Sequence, residues 1–262
     1  MPVSLRQILT ATESTIPALK VRRSELERLA TDTPPGPSFR AALGRSTVAL
    51  IAEVKRRSPS AGSIREDLDP ASRALGYANG GSAAISVLTD GPYFGGSLDD
   101  LRSVAARVDV PVLRKDFILA EEQVLEARAA GASAVLLIVR ALTPSRLEAL
   151  QRFAAGLGLA ALVEAHTAAE TSTALDAGAE IVGINSRNLD TFRIDIDEAW
   201  RLFDAVPPHV IAVAESGMAN LDDVSRAAEA GADAVLIGTA LSAADDPEKL
   251  ARQISGVRRR GR

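Results

Sequence analysis

Short, almost continuously hydrophobic runs recur along the chain, and longer amphipathic segments separate them. Each run has the length of one β-strand. Strands that are buried on both faces show this pattern, which is typical of a parallel sheet covered by helices. Eight such runs occur, at residues 48–54, 83–88, 110–113, 134–139, 159–163, 181–184, 210–214 and 234–237.

The amphipathic segments have the spacing of helices that expose one face to water. Several of them end in a Gly-Gly or Gly-Ala step that leads directly into the next hydrophobic run, as is typical of a helix C-terminus. The clearest helical segments are 120–130, 144–155, 168–177 and 221–230, and the glycine steps lie at 80–81, 131–132, 178–179 and 231–232.

Eight strand–helix units in a chain of 262 residues predict an α/β fold in which the strands close into a single (β/α)8 TIM barrel. A doubly wound open sheet is the alternative. That fold would carry a glycine-rich phosphate fingerprint after its first strand, whereas this chain has Glu-Val-Lys-Arg-Arg-Ser-Pro-Ser at residues 53–60. The sequence therefore favours one barrel domain over residues 1–262.

The first 46 residues precede the first strand. Residues 5–30 have the pattern of one or two helices, and Thr-Pro-Pro-Gly-Pro at 33–37 predicts a stiff loop. A segment of this length is too short to bury a hydrophobic core of its own. We therefore expect an N-terminal helical extension that packs on the barrel and does not form a second domain.

Composition excludes several classes of function. The formal net charge of −4 is too small to draw the chain to nucleic acid or to a membrane surface. No signal-peptide pattern and no membrane-length apolar run occur, so we expect a cytoplasmic protein. With no cysteine and only His166 and His209, disulfides, thiolate chemistry and histidine-rich metal sites are excluded, and we expect no metal. For His209 a structural role is the expectation. We expect no catalytic role for His166, although its place just beyond Glu164 at a strand end leaves a supporting role beside that carboxylate as the alternative.

Charged residues stand where the hydrophobic runs end. In a (β/α)8 barrel the C-terminal strand ends form the rim on which active sites are built. Strand alternation places Glu53 and Lys55 on one face, and Lys115 on the same face as Phe117. Burying charges is costly unless they are paired, and a structural salt-bridge network is the alternative to a site. Charges on five strand ends at one rim favour a site, formed by Glu53, Lys55, Lys115, Glu164, Arg187 and Glu215.

Glycines and hydroxyl groups follow neighbouring strands at the same rim. Ser58 follows the first run, Ser216 and Gly217 follow the seventh, and Gly238 and Thr239 follow the eighth. Each of these is, alone, more typical of an ordinary turn or helix start. Together they offer backbone N–H groups on adjacent strands, where barrels commonly bind phosphate. The pattern therefore predicts a phosphate site.

Motifs on every strand but the fourth resemble the indole-3-glycerol phosphate synthase family. They lie at residues 51–62, 85–90, 94–97, 113–118, 162–166, 183–189, 214–217 and 236–239. Small departures occur: Ala61 and Thr239 stand where the family often has Lys and Ser, and 120–123 lack a common Asp-Tyr pattern. The related phosphoribosylanthranilate isomerases use a cysteine, which this chain lacks.

The resemblance implies a carbon–carbon lyase of tryptophan biosynthesis that works without a cofactor. Its substrate would be 1-(2-carboxyphenylamino)-1-deoxy-D-ribulose 5-phosphate, which is decarboxylated, closed into a ring and dehydrated to indole-3-glycerol phosphate. Lys115 would be the general acid of ring closure and Glu164 the acid/base partner in dehydration. Lys55 would bind carboxylate or phosphate and could donate a proton, and Glu53 would hold the lysines in place.

The resemblance also implies three groups of binding residues. Asn185, Arg187 and Glu215 would orient the sugar hydroxyls. The arene slot would be formed by Phe94, Phe117, Leu189 and Leu236, although each could be ordinary core. The phosphate would be held by Ser58, Ser216, Gly217, Gly238 and Thr239.

Two other functions remain open at this point. One is a different ribulose-phosphate-binding barrel enzyme, and the other is a non-catalytic barrel that binds phosphate ligands. A non-catalytic relic should have lost Lys55, Lys115 or Glu164, and all three are present. The sequence leaves open how the acid/base roles are divided between the two lysines and between Glu53 and Glu164. For partners we expect a phosphorylated small molecule, no nucleic acid or membrane, and a monomer or weak homo-oligomer.

Overall fold

Eight parallel strands close into a barrel in the computed structural model, which describes residues 4–59, 62–188, 191 and 193–261. Each strand pairs with its neighbours in chain order, and the last pairs with the first. The predicted (β/α)8 barrel is therefore confirmed. The strands are β1 Ala49–Val54, β2 Ala84–Leu88, β3 Val112–Lys115, β4 Ala134–Ile138, β5 Ala160–Ala165, β6 Ile181–Asn185, β7 Ile211–Glu215 and β8 Ala234–Ile237.

Helices precede the barrel and surround it. The N-terminal part contains α1 Leu5–Val21, α2 Arg23–Asp32 and α3 Phe39–Leu43. The remaining helices are α4 Pro70–Asn79, α5 Gly91–Phe94, α6 Leu98–Ala105, α7 Glu121–Ala129, α8 Pro144–Gly156, α9 Ala168–Asp176, α10 Ile196–Trp200, α11 Leu221–Glu229, α12 Thr239–Ala243 and α13 Pro247–Ser255. Single 3-10 turns lie at Val139–Ala141 and Arg201–Ala205, and Arg57–Ser58 pairs with Gly62–Ser63 in a small hairpin.

Local chemistry fixes where the helices begin and end. The side chains of Thr143, Thr167 and Asn220 each accept the backbone N–H of the third helical residue and so start α8, α9 and α11. Glycines follow α7 and α9 with φ of 87° at Gly131 and 79° at Gly178, where a Cβ would be strained. The glycine steps thus end these helices as predicted.

Four strands run one or two residues past the hydrophobic runs. Backbone pairing continues after the apolar side chains stop, since Leu88 is in register with Lys115 and Asn185 with Glu215. The polar residues predicted to follow β3, β5, β6 and β7 are therefore part of the sheet. Glu164 and Glu215 are paired with a neighbouring strand on both sides, and Lys115 and Asn185 on one side.

Alternation along each strand separates two buried layers. In β3, Arg114 faces the helices, where its guanidinium donates to Asp116 at 2.9 Å and to the carbonyl of Gln123 at 2.7 Å. Its neighbour Lys115 faces the interior of the barrel, which contains the apolar side chains of Leu113, Leu136, Leu162, Val213 and Leu236.

The N-terminal part lies against the barrel along its length. Arg23 of α2 pairs with Glu121 and Glu122 at the start of α7. At the other end of α7, Arg128 donates to the carbonyls of Thr33 and Pro34. The helix α3 follows at the N-terminal end of the barrel. Its side chains Phe39 and Leu43 are almost fully buried, and Arg40 pairs with Glu180 just before β6.

Candidate functional site

The C-terminal ends of the strands surround a cavity of about 480 Å³, to which every strand contributes a side chain. This size suits a small-molecule ligand. The predicted site residues that line it are Glu53, Lys55, Ser58, Phe94, Lys115, Phe117, Glu164, Asn185, Arg187, Glu215, Ser216, Gly217, Leu236, Gly238 and Thr239. The remaining predicted residue, Leu189, lies outside the described residues, as do Ser60 and Ala61.

The lysines and glutamates form two groups. Lys55 Nζ lies 3.0 Å from Oε1 of Glu53, two residues earlier on the same strand. Lys115 Nζ lies 3.3 Å from Oε2 of Glu164 on β5 and 4.0 Å from Oε2 of Glu215 on β7. The side chains of Glu164 and Glu215 are 1% and 2% exposed, and that of Lys115 is 16% exposed. The second group is therefore a buried cluster of one ammonium and two carboxylates.

The pKa values of the two carboxyl groups in this cluster are shifted in opposite directions. Burial raises the pKa of Glu215 well above its usual range, and the charge of Glu164 raises it further. Burial also opposes ionisation of Glu164, but attraction by Lys115 and His166 and a hydrogen bond with Asn185 lower the net pKa of that carboxyl. Burial likewise opposes the charge on Lys115, but the carboxylates outweigh it and the pKa of Lys115 is raised. These shifts favour the ionised form of Glu164, the protonated form of Glu215 and the charged form of Lys115.

Two glycines leave room for the carboxylates. A Cβ at Gly183 would overlap Oε1 of Glu215, and a Cβ at Gly238 would overlap Oε1 of Glu53 and lie 2.9 Å from Lys55 Nζ. Both positions therefore require a residue without a side chain if the glutamates are to keep these orientations.

Asn185 and Arg187 lie on the adjacent wall. Oδ1 of Asn185 accepts the backbone N–H of Arg187 at 3.0 Å, which orients the amide. Arg187 is half-buried, and this burial lowers the pKa of its guanidinium against the opposing attraction of Glu53. A cation in this position can bind an anionic or hydroxylated ligand.

Hydroxyls and glycines form another part of the rim, between β1, β7 and β8. Ser216 and Gly217 have φ of 65° and 83°, so two consecutive residues after β7 adopt left-handed backbone. Gly238 is the N-cap residue of α12, which begins at Thr239. The hydroxyl of Ser242 in α12 donates to the carbonyl of Glu53 and accepts the N–H of Lys55, each at 3.3 Å, and so ties α12 to β1.

An apolar wall faces the charges. The rings of Phe94 and Phe117 lie 6.2 Å apart with an interplanar angle of 39°. Other apolar lining residues are Leu88, Leu136, Ile138, Ile194, Met218 and Leu236. Of these, only Leu236 was among the predicted residues, because a leucine that lines a cavity and one inside the core have the same pattern in sequence.

The two histidines differ. His209 lies just before β7, where its carbonyl accepts from Arg40. His166 has a side chain that is only 4% exposed, and its Nε2 lies 3.4 Å from Oε1 of Glu164. The structure thus brings His166 into contact with a central carboxylate, which favours the alternative of a supporting role beside Glu164. The signal was present in the spacing, since alternation places residues 164 and 166 on the same face of a strand.

Metal-binding clusters and membrane-spanning helices are both absent from the described residues. Across residues 4–59, 62–188, 191 and 193–261, no cluster of three or more His, Asp or Glu side chains is arranged to hold a metal ion. Within those same ranges, no helix is both long and apolar enough to cross a membrane.

Solved structures with similar folds are other barrels. Thiamine phosphate pyrophosphorylase from Pyrococcus furiosus aligns with a TM-score of 0.62 and 18% identity, covering 83% of this chain and 96% of that one. The 3-hexulose-6-phosphate synthase from Salmonella typhimurium aligns with a TM-score of 0.60 and 17% identity, covering 79% and 97%. At this level of identity the likeness shows the fold alone.

Sequence relatives are more specific. An indole-3-glycerol phosphate synthase from Nocardioides sp. is 55% identical over 223 residues, 85% of this chain and 84% of the relative. One from Saccharopolyspora erythraea is 46% identical over 250 residues, 95% and 91% of the two chains. The family model described as indole-3-glycerol phosphate synthase matches residues 5–254. The chain belongs to the indole-3-glycerol phosphate synthase family.

Proposed function

We propose that this chain converts 1-(2-carboxyphenylamino)-1-deoxy-D-ribulose 5-phosphate to indole-3-glycerol phosphate, carbon dioxide and water, with Lys115 and Glu164 as its acid/base pair. The observation that carries the residue assignment is the contact of 3.3 Å between Lys115 Nζ and Glu164 Oε2 inside the cavity. Lys115 keeps its proton and Glu164 keeps its charge, which are the forms required of a general acid and a general base.

Ring closure needs a proton donor at the ribulose carbonyl. The ring carbon that bears the carboxylate attacks C2, and the electron pair of the C=O bond moves to oxygen. Lys115 donates its proton to that oxygen, and its charge stabilises the developing oxyanion. Carbon dioxide then leaves, and the electrons of the broken bond restore the aromatic ring.

Dehydration needs a base and an acid. Glu164 accepts a proton from the new ring while the C2 hydroxyl departs as water, and Glu215, whose burial favours its protonated form, donates the proton for that hydroxyl. The proton on Glu164 and one proton from solvent then restore Lys115 and Glu215. Lys55 and Glu53, paired at 3.0 Å on β1, bind the substrate carboxylate and hold that side of the cavity in place.

The other lining residues bind the two ends of the substrate. Phe94, Phe117 and Leu236 form the slot for the arene. The phosphate binds at the rim of hydroxyls and glycines described above, where the N-terminus of the short helix α12 supplies N–H groups. A cytoplasmic location and a monomeric or weakly homo-oligomeric state remain our predictions.

The test is turnover of the anilino-deoxyribulose phosphate in EDTA, followed by indole fluorescence, for the wild type and for Glu164→Gln. This substitution keeps the shape of the side chain and removes its titratable proton. We expect kcat to fall steeply while KM changes little, since the lost interaction belongs to the transition state. A variant that binds substrate poorly but turns over the bound fraction normally would make Glu164 a binding residue and move the acid/base role to Glu53.

The phosphate assignment has a separate test. Inorganic phosphate or sulfate should inhibit competitively, and Thr239→Val should weaken this inhibition and raise KM without lowering kcat. Inhibition that Thr239→Val leaves unchanged, or that is not competitive, would place the phosphate elsewhere in the cavity.

A further inference from the structure

A chain of polar contacts extends outward from Glu164, away from the cavity. Oε2 of Glu164 faces Lys115 at 3.3 Å, and Oε1 faces Nε2 of His166 at 3.4 Å. The two oxygens of this carboxylate are therefore each opposed by a different nitrogen. The reaction described above uses the Lys115 side and leaves the His166 side without a role.

The imidazole ring is held from behind by Glu170. Oε2 of Glu170 accepts the backbone N–H of His166 at 2.8 Å and lies 3.1 Å from Nδ1 of the ring. Oε1 of the same carboxylate accepts two N–H groups of Arg140, at 3.1 and 2.9 Å. The ring is thus fixed by β5, by the first turn of α9 and by the 3-10 turn after β4. The side chains of Glu170 and Arg140 are only 16% and 18% exposed.

Each ring nitrogen faces a carboxylate. Nδ1 lies 3.1 Å from Oε2 of Glu170, and Nε2 lies 3.4 Å from Oε1 of Glu164, within ion-pair distance but without the alignment of a hydrogen bond. Arg140 balances the charge of Glu170, and Lys115 balances that of Glu164, whose other neighbours are Asn185 and Glu215.

We propose that His166 is a positioning residue whose Nε2 edge attracts Oε1 of Glu164 and so restricts rotation of this carboxylate. Oε2 then stays directed at Lys115 and at the reacting atoms. Glu170 and Arg140 act through His166 by fixing the orientation of its ring. The inference rests on the acid/base role of Glu164 proposed above.

Two substitutions at the same position separate the two contacts of the ring. In His166→Asn the amide nitrogen can take the place of Nδ1 and keep the contact with Glu170, but nothing reaches Glu164. In His166→Gln the longer side chain can take the place of Nε2 and reach Glu164. We expect kcat to fall roughly tenfold in His166→Asn, the loss typical of removing one polar partner of a buried charged group, with KM within about twofold. We expect His166→Gln to recover most of that loss.

The matched control is His209→Asn, the same chemical change at the opposite end of the barrel, and its kcat should equal that of the wild type. A loss of kcat that is equal in His166→Asn and His166→Gln would overturn the proposal, as would wild-type kcat in His166→Asn. If His166→Asn does not fold, as judged by circular dichroism, Glu170→Gln replaces it, because it keeps an oxygen for the backbone N–H of His166. Its kcat should fall in the same direction.

A double-mutant cycle with Glu164→Gln tests whether His166 acts through Glu164. Rates are measured in single turnovers with enzyme in excess. We expect His166→Asn to lower the rate by less than about twofold once Glu164 is replaced, because the group it positions is gone. An equal tenfold loss in both backgrounds would refute the coupling. Wild-type turnover by Glu164→Gln itself would instead refute the proposed role of Glu164, so the two failures are distinguishable.

Discussion

Buried charged groups have different surroundings at the two ends of the barrel. At the N-terminal end, Asp233 is 1% exposed, pairs with Arg259 at 2.5 Å and accepts the N–H of Ala212 at 2.8 Å. Phe39 and Leu43 are buried among the apolar residues of the same end. At the C-terminal end, Lys115 faces two carboxylates across an open cavity, and glycines make room for them. At the N-terminal end a buried carboxylate is paired and covered, whereas at the C-terminal end the paired charges line a cavity that a ligand can enter.

This difference indicates what each end contributes. Closure at the N-terminal end stabilises the fold, and the cluster at the C-terminal end holds acid, base and binding groups at fixed separations at some expense of stability. Substitutions at the two ends should therefore separate activity from the free energy of unfolding.

The largest expected effect is on turnover at the C-terminal end. Lys115→Met keeps the length of the side chain and removes its proton, so kcat should fall by roughly 10² to 10⁴, the usual range for loss of a general acid, while the fold survives. Steady-state kinetics and circular dichroism check this. Lys20→Met, on the exposed surface of α1, is the control and should keep wild-type kcat. Normal turnover in folded Lys115→Met would end the assignment.

The next effect belongs to the N-terminal end. Phe39 is 1% exposed, and Phe39→Ala should lower the free energy of unfolding by about 3–5 kcal/mol, through lost burial and the cavity left behind. The kcat of the folded fraction should stay within about twofold of the wild type. Urea unfolding measures the free energy of unfolding, and kinetics at a temperature where the variant is folded measure kcat. A parallel loss of kcat would show that the two ends are coupled.

A smaller effect on stability is expected at Gly238, which leaves room for Glu53 and Lys55. Gly238→Ala places a Cβ against Glu53 and Lys55 and should lower the free energy of unfolding by about 1–3 kcal/mol, together with kcat/KM. Gly76→Ala is the matched control. Gly76 lies inside α4 with nothing within 4 Å of the new Cβ, so this substitution should raise stability by about 0.5–1 kcal/mol. If the free energy of unfolding changes equally in the two variants, crowding at Gly238 does not affect stability.

The smallest expected effect is a pH-dependent change in stability that comes from Glu215. The pKa of Glu215 is raised in the folded protein, so folding favours its protonated form and the associated stability is full below the usual glutamate pKa. That stability is lost as the pH rises toward the folded pKa, because the unfolded chain ionises freely and the folded one does not. Glu215→Gln should therefore be more stable than the wild type at neutral pH and lose this advantage in acid. Thermal unfolding from pH 4 to 8 measures it, and a pH-independent difference would contradict the cause.

Much of the fold could be predicted from hydrophobic periodicity. The eight apolar runs all became strands, because parallel strands inside a helical layer are apolar on both faces. The ends were misplaced at Lys115, Asn185 and Glu215, where polar side chains stop the apolar pattern but backbone pairing continues. The short helices α3, α5, α10 and α12 and the small hairpin were not predicted, since elements of five residues or fewer have too few turns to show a period.

The candidate-site residues that interrupt the apolar pattern of the strands could be predicted from the sequence, and those that follow this pattern could not. Charges at the ends of apolar strands stand out, and Glu53, Lys115 and Glu164 all line the cavity. Leu88 and Met218 also line it, but nothing in their sequence context differs from that of a core residue. The partner of Glu164 could not be assigned either, because the separation of β3 and β5 depends on closure and register of the whole barrel.

The left-handed backbone at Ser216 has a consequence for directed evolution. A non-glycine residue with φ of 65° typically stores about 1–2 kcal/mol of strain, which Ser216→Gly would release at the loss of one hydroxyl on the ligand side of the rim. A library at this position that is selected for thermal tolerance should therefore enrich glycine. The same library, selected for growth that depends on formation of the product, should retain serine. The two selections would disagree at this residue and agree at Gly217, where φ of 83° suits glycine alone.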